Sequence, residues 1–154
     1  AASSYIGVAT LHKNSQNKGD NRLYSDALLD ESEKISVTTI DEICSLHKIE
    51  HLNFLKIDIQ GAEAKAISGA SNILKKSKDC ILLSELWPYG MSQFDSNAQD
   101  YLTELQILGF SLFELGKKSS ITPININEIV KAYTGRKYTN IVGFKGIYLD
   151  QLDA

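Results

Sequence analysis

The chain has 154 residues, 43% of them hydrophobic, two prolines and a formal net charge of −3 at pH 7. That length and apolar share describe one folded domain with a core rather than a disordered chain. The acidic balance lacks the footprint of a nucleic-acid binder or of a polybasic membrane surface, and no apolar run reaches the roughly 18 residues of a membrane helix.

The opening residues Ala1-Ala2-Ser3-Ser4-Tyr5 include no methionine and none of the charged or apolar segments of a signal peptide. Residues 6–12 alternate as a strand does. Residues 14–24 are a polar loop rich in turn formers, and the acidic run Asp30-Glu31-Ser32-Glu33 reads as a solvated connection. Residues 35–39 are predicted to form a second strand. Thr39 with Glu42 makes a capping box for a helix from Ile40 to about Lys48. Residues 53–57 are an apolar, β-favouring run that stops at Asp58, Gln60 and Gly61. An amphipathic helical pattern follows at once, with Ala62, Ala66, Ile67, Ala70, Ile73 and Leu74 on one face and Lys75, Lys76 and Lys78 at its negative end.

Residues 80–86 form the next buried strand, which carries Glu85 near its end, and Trp87-Pro88-Tyr89-Gly90 is a loop. Ser96 with Gln99 is a second capping box, opening a helix that stops at Gly109. A strand over 110–115, a longer connection with a short helix near 127–133, and a final strand over 141–145 complete the chain. From residue 53 onward the alternation of strand and helix predicts an α/β fold. Its sheet is mostly parallel, and its last strand is able to return antiparallel.

Glycine-rich phosphate signatures and the GxSxG elbow are missing from the sequence. In open α/β sheets ligands bind beyond the carboxyl ends of the strands. Asp58 and Glu85 each follow an apolar run and emerge, on the parallel reading, at the same sheet edge. Two carboxylates there can bind a cation, take a proton from a hydroxyl or hold a substrate group. The alternative is that each caps a helix or pairs with a lysine. Glu63 stands in a first helical turn, where an acid suits the dipole, and Lys56, inside the strand, must snorkel or pair. His47 and His51 are four apart but lack the acid of an HExxH motif, so no metal is assigned. Trp87 and Tyr89 either wall a substrate ring or close the core. Cys44 and Cys80, far apart and without zinc spacing, read as reduced thiols in a cytoplasmic protein.

Val37-Thr38-Thr39-Ile40-Asp41-Glu42-Ile43, Leu55-Lys56-Ile57-Asp58-Ile59-Gln60-Gly61-Ala62-Glu63, Ile67-Ser68-Gly69-Ala70 and Ile81-Leu82-Leu83-Ser84-Glu85-Leu86 together resemble the FkbM family of methyltransferases. Residues 2–11 and 15–23 resemble its third-strand region, so the resemblance covers most of the chain. It implies a Rossmann-like, S-adenosylmethionine-dependent methyltransferase sheet, mostly parallel with an antiparallel last strand. On this resemblance, residues 1–154 are a single partial domain whose first strands and glycine-rich cofactor turn precede Ala1. This chain alone is then expected to bind cofactor weakly and to be inactive. In the full-length protein the resemblance implies methyl transfer to a hydroxyl oxygen of a small molecule or glycan. The nucleophile attacks the sulfonium methyl in line, while the protein supplies proximity, orientation and exclusion of water.

Asp58 and Glu85 are then the catalytic candidates. Asp58, Gln60 and Gly61 face the cofactor, and Glu63, Trp87 and Tyr89 the acceptor. The family usually has glutamate where this chain has Gln60, and often aspartate where it has Ser4. Two other readings stand beside this one. The first is a methyltransferase-like binding or assembly module without the cofactor loop. The second is a receiver-like regulatory module, whose acid and lysine pattern this sequence does not match. No nucleic-acid partner or membrane segment is expected, and exposed sheet edges would favour oligomers.

Overall fold

A computed structural model describes residues 1–17, 21–25 and 31–150, apart from the side chains of residues 119 and 150. Two antiparallel strands, β1 (Gly7–Lys13) and β2 (Glu31–Val37), form a small sheet of their own. The larger sheet contains β3 (Phe54–Ile57), β4 (Cys80–Leu86), β5 (Ser111–Leu115), β6 (Ile121–Pro123) and β7 (Thr139–Lys145), in the order β3-β4-β7-β5-β6. β3 and β4 are parallel; β7 runs antiparallel to both β4 and β5, and β6 antiparallel to β5. Thus β3, β4 and β5 share a direction, and the final long strand does return antiparallel. It inserts between β4 and β5 rather than at an edge, so within this sheet, among the described residues, only the β3–β4 pairing is parallel.

β4 shows how the sheet builds its core. Cys80, Leu82, Ser84 and Leu86 are buried in alternation with half-buried residues, the period-two pattern of a pleated strand. Helix α5 (Ala98–Ile107) covers this face with Tyr101, Leu102 and Leu105. The Tyr101 hydroxyl donates to Ser84 Oγ at 2.7 Å, so the polar atoms in this buried layer are partnered.

The helices depart from the sequence reading at informative places. Thr39 caps α1 (Ile40–Leu46) as expected, its Oγ1 accepting the Glu42 N–H at 3.0 Å. The single helix expected over 62–76 is two, α2 (Glu63–Ser68) and α3 (Ser71–Lys76). The break lies where Gly69 meets the N-terminal segment, because a Cβ there would fall 2.1 Å from the Ser3 carbonyl oxygen. Asp41 of α1 supplies the missing cap: its carboxylate accepts the N–H groups of Asn72 (3.1 Å) and Ile73 (2.8 Å). The stretch expected as a loop after β4 is a short helix, α4 (Pro88–Ser92), started by Pro88 where a missing N–H costs nothing.

Asn97, not Ser96, caps α5, accepting the Asp100 N–H at 2.7 Å. The acidic residues 31–33 belong to β2, where Glu33 pairs with Lys13 at 2.8 Å across the strands. β6 and a closing turn of helix, α7 (Ile147–Asp150), were not anticipated; α6 (Ile126–Ala132) was.

Candidate functional site

β3 ends at the buried Ile57 and hands Asp58 to the surface. The chain then turns through Gln60 (φ 57°) and Gly61 (φ 99°), both in the left-handed region. A Cβ on Gly61 would lie 2.5 Å from the Gly90 carbonyl carbon and 2.6 Å from its oxygen. A Cβ on Gly90 would fall 2.2 Å from the Trp87 ring. Two glycines therefore let the turn after β3 press backbone to backbone against α4.

Glu63 secures this turn from beneath. It is 0% exposed, and its Oε1 accepts the Ile59 N–H at 2.9 Å. Burial pushes its carboxyl above the ordinary range; the N–H groups of Ile59, Glu63 and Gly61 pull the other way, and the charge of Asp58 adds to the rise. Oε2 has no hydrogen-bond partner among the described residues.

Asp58 is placed quite differently. Its side chain is 47% exposed, with Lys56 Nζ at 3.2 Å from Oδ2 and Gln60 Nε2 donating to Oδ1 at 3.4 Å. The lysine in the strand does pair, as expected, but at the surface, where such a pair contributes about 0–1 kcal/mol. The carboxylate keeps capacity to accept from a ligand. It opens onto a cleft of about 230 Å³, where Asp58, Ile59, Gln60 and Ala62 form one wall, Leu11, Asn21 and Leu23 stand in another, and Ala1 and Ala2 complete the lining.

The remaining sequence candidates do not all gather here. Ile57 registers with Ser84 across the β3–β4 pair, so Asp58 and Glu85 stand at one level. Glu85, however, sits within β4 opposite Asn140 of β7 and is not in the cleft lining. Glu63, expected on the acceptor side, has no surface there, because the turn it holds covers it. Trp87 is 6% exposed and Tyr89 half-buried, their rings 5.7 Å apart. The Arg22 guanidinium lies 5.0 Å over the Trp87 ring, and that of Arg136 5.2 Å over Tyr89. Trp87 thus closes the core behind the turn and does not wall the cleft.

Asn21, Leu23 and Arg22 carried no signal in the sequence beyond that of a polar loop; the backbone exchange between His12 and Arg22 brings them to β1. α1 ends at Leu46, so His47 and His51 share no helical face, and no group of three metal-ligating side chains exists among the described residues. Cys44 and Cys80 are free and buried, and burial pushes the Cys80 thiol up to about 11 against the pull of Lys145. No helix among the described residues is long and apolar enough to cross a membrane.

No curated protein and no solved structure matches the chain significantly. The family model of the methyltransferase FkbM domain matches residues 3–112, which take in Asn21, Leu23, Asp58, Gln60, Gly61 and Glu63. With most of its length matched, the chain belongs to the FkbM methyltransferase family.

Proposed function

We propose that this domain serves S-adenosylmethionine-dependent methyl transfer to a hydroxyl oxygen of a small molecule or glycan. Family membership supports methyl transfer in general. A Rossmann-like reading of the sheet is in keeping with three strands of one direction and an antiparallel final strand. The observation that carries the finer reading is the Asp58 carboxylate. It is half-exposed at the end of a strand, with two cleft-lining neighbours, Ile59 and Gln60.

The cleft suits part of the reacting assembly. At about 230 Å³ it is smaller than the roughly 300–1,000 Å³ of pockets that enclose a whole ligand, so it takes one end of a cofactor or a small acceptor. Its donor set, a carboxylate with the amides of Gln60 and Asn21 among apolar side chains, fits a cationic group beside a hydroxyl. When bound, S-adenosylmethionine would supply an electrophilic sulfonium methyl, whose carbon would bond to the acceptor oxygen as the carbon–sulfur bond breaks and the thioether leaves. The chain's own part is orientation and proton acceptance. Asp58 accepts the hydrogen bond of the acceptor hydroxyl and takes its proton, Gln60 holds the side chain of Asp58, and Leu11, Leu23 and Ile59 keep water from the reacting atoms. Glu85 and Tyr89 have subsidiary positions, on the neighbouring strand and at the start of α4. Buried, unlinked thiols support a cytoplasmic setting.

The test is Asp58→Asn in the full-length natural protein, assayed with labelled S-adenosylmethionine and with cofactor affinity measured by calorimetry. Loss of a general base predicts a fall in turnover of about 10²–10⁴-fold at similar cofactor affinity. Full turnover in the variant refutes the assignment.

A further inference from the structure

The segment 21–24 has two faces, and they lead to different places. Asn21 and Leu23 look into the cleft, whereas Arg22 and Tyr24 are buried on the other side. The segment is pinned to β1 by a reciprocal backbone pair, His12 N–H to the Arg22 carbonyl at 2.7 Å and Arg22 N–H to the His12 carbonyl at 2.9 Å. Asn21 adds a tie within the loop, its Oδ1 accepting the Asn14 N–H at 3.1 Å. The Arg22 guanidinium covers the faces of two rings, 5.0 Å from the centroid of Trp87 and 5.4 Å from that of Tyr24. Tyr24 in turn meets Phe94 edge-on at 5.4 Å.

From Trp87 a line of close contacts runs to the opposite wall. The indole lies against Gly90, and the Gly90 backbone lies against Gly61, with no room for a Cβ at either glycine. Gly61 follows Gln60, which stands with Asp58 in the cleft. The two walls are therefore joined behind the cleft by one continuous stack: Leu23 and Asn21, Arg22, Trp87, Gly90, Gly61, Gln60 and Asp58. Its centre is the least compressible part, an indole pressed on one glycine backbone and that backbone on another, with no side chain between the two glycines.

We propose that the Arg22–Trp87 stack is the spacer that fixes the width of the cleft, making Arg22 and Trp87 positioning residues for the ligand that Asp58 faces. This rests on the reading of the cleft as a cofactor-binding and acceptor-binding site. It also gives Trp87 a role through Arg22 and Gly90 rather than by touching substrate. Lysine is a poor replacement for Arg22 here, since a compact, strongly hydrated ammonium lacks the broad planar guanidinium that reaches both the Trp87 and Tyr24 rings. Phenylalanine can partly replace Trp87, since it keeps an aromatic face for the guanidinium.

Trp87 is the single tryptophan of the chain, so its emission reports on this stack directly. The experiment titrates the full-length natural protein, in which Trp87 emission is isolated by removing any tryptophan outside these residues, with S-adenosylhomocysteine. Calorimetry and emission are followed together, in the wild type and in Arg22→Lys, Trp87→Leu and Trp87→Phe. Arg22→Lys should shift Trp87 emission in the unliganded protein, because the indole loses the guanidinium over its face. Arg22→Lys and Trp87→Leu should bind about tenfold more weakly with unchanged far-ultraviolet circular dichroism, and Trp87→Phe should keep most of the affinity. Equal affinity in wild type and Arg22→Lys overturns the proposal, as does equal affinity in wild type and Trp87→Leu. Should Arg22→Lys fail to fold, the affinity of Trp87→Leu against that of Trp87→Phe still decides. If calorimetry detects no binding of S-adenosylhomocysteine to the wild type, the cofactor reading fails and the spacer falls with it; binding that the variants leave unchanged sinks the spacer alone.

Discussion

Replacing Gly61 with alanine tests whether the turn after β3 is held by close backbone approach. The added methyl meets two separate penalties. At φ 99° an L-residue is strained, at a cost of about 1–2 kcal/mol. The new Cβ would also stand 2.5 Å from the Gly90 carbonyl carbon and 2.6 Å from its oxygen. Those are backbone atoms that cannot rotate away, so overpacking adds about 1–3 kcal/mol. The expected loss is then about 2–5 kcal/mol, equivalent to a drop of roughly 4–20 °C in Tm for a chain of this size.

Gly135 provides the control, because it also has a positive φ, 62°, but nothing lies within 4 Å of a Cβ built there. Gly135→Ala should cost only the strain, about 1–2 kcal/mol. Urea melts of both variants beside the wild type separate the two penalties. Equal destabilisation in the two variants would refute the packing of Gly61 on Gly90, and with it the continuity from the cleft to Trp87.

Glu63→Gln should reveal the raised carboxyl pKa as a pH-dependent difference in stability. Because the folded state holds this proton more tightly than the unfolded chain, stability is full below the unfolded value near 4.3 and is lost as pH rises through the folded value. The variant lacks that loss and can still accept the Ile59 N–H, so its stability relative to wild type should climb from about pH 4 upward; a flat or falling difference in paired urea melts would show that burial does not raise this carboxyl's pKa. Asp41→Ala removes the carboxylate that accepts from Asn72 and Ile73. It should destabilise by about 0.5–2 kcal/mol with faster amide exchange confined to the start of α3, and exchange unchanged at Asn72 would contradict the capping. The Asp58→Asn and Arg22→Lys experiments complete the set, one addressing proton acceptance and the other the spacing of the walls.

Much of the architecture was written in local pattern. The apolar run into Asp58, the alternation of β4 and the stop at Gly109 are consequences of short-range periodicity and turn chemistry, which any window of the chain displays. Thr39 could be identified as a cap because its partner is three residues away. The break between α2 and α3 could not be read the same way. The apolar face continues through it, and its causes, Ser3 packed on Gly69 and Asp41 capping α3, come from remote parts of the chain.

The site divides along the same line. Asp58 was legible because an acid that ends an apolar, β-favouring run is conspicuous in the sequence itself, although that strand is not the buried one its composition predicts: β3 lies at the sheet edge with only Ile57 buried. Glu63 was legible as an acid in a first helical turn, but its complete burial and its grip on the Ile59 N–H exist only once the turn folds over it. Asn21, Arg22 and Leu23 looked like loop, since nothing in their order distinguishes a solvated turn from one pinned to β1. The sequence alone determined which strand presents an acid and which family the chain resembles. Only tertiary structure decided what faces that acid, because the opposite wall and the Arg22–Trp87 stack behind it are contacts between segments roughly 40 to 65 residues apart, whose cost in chain entropy is met by the folded core and never by local preference.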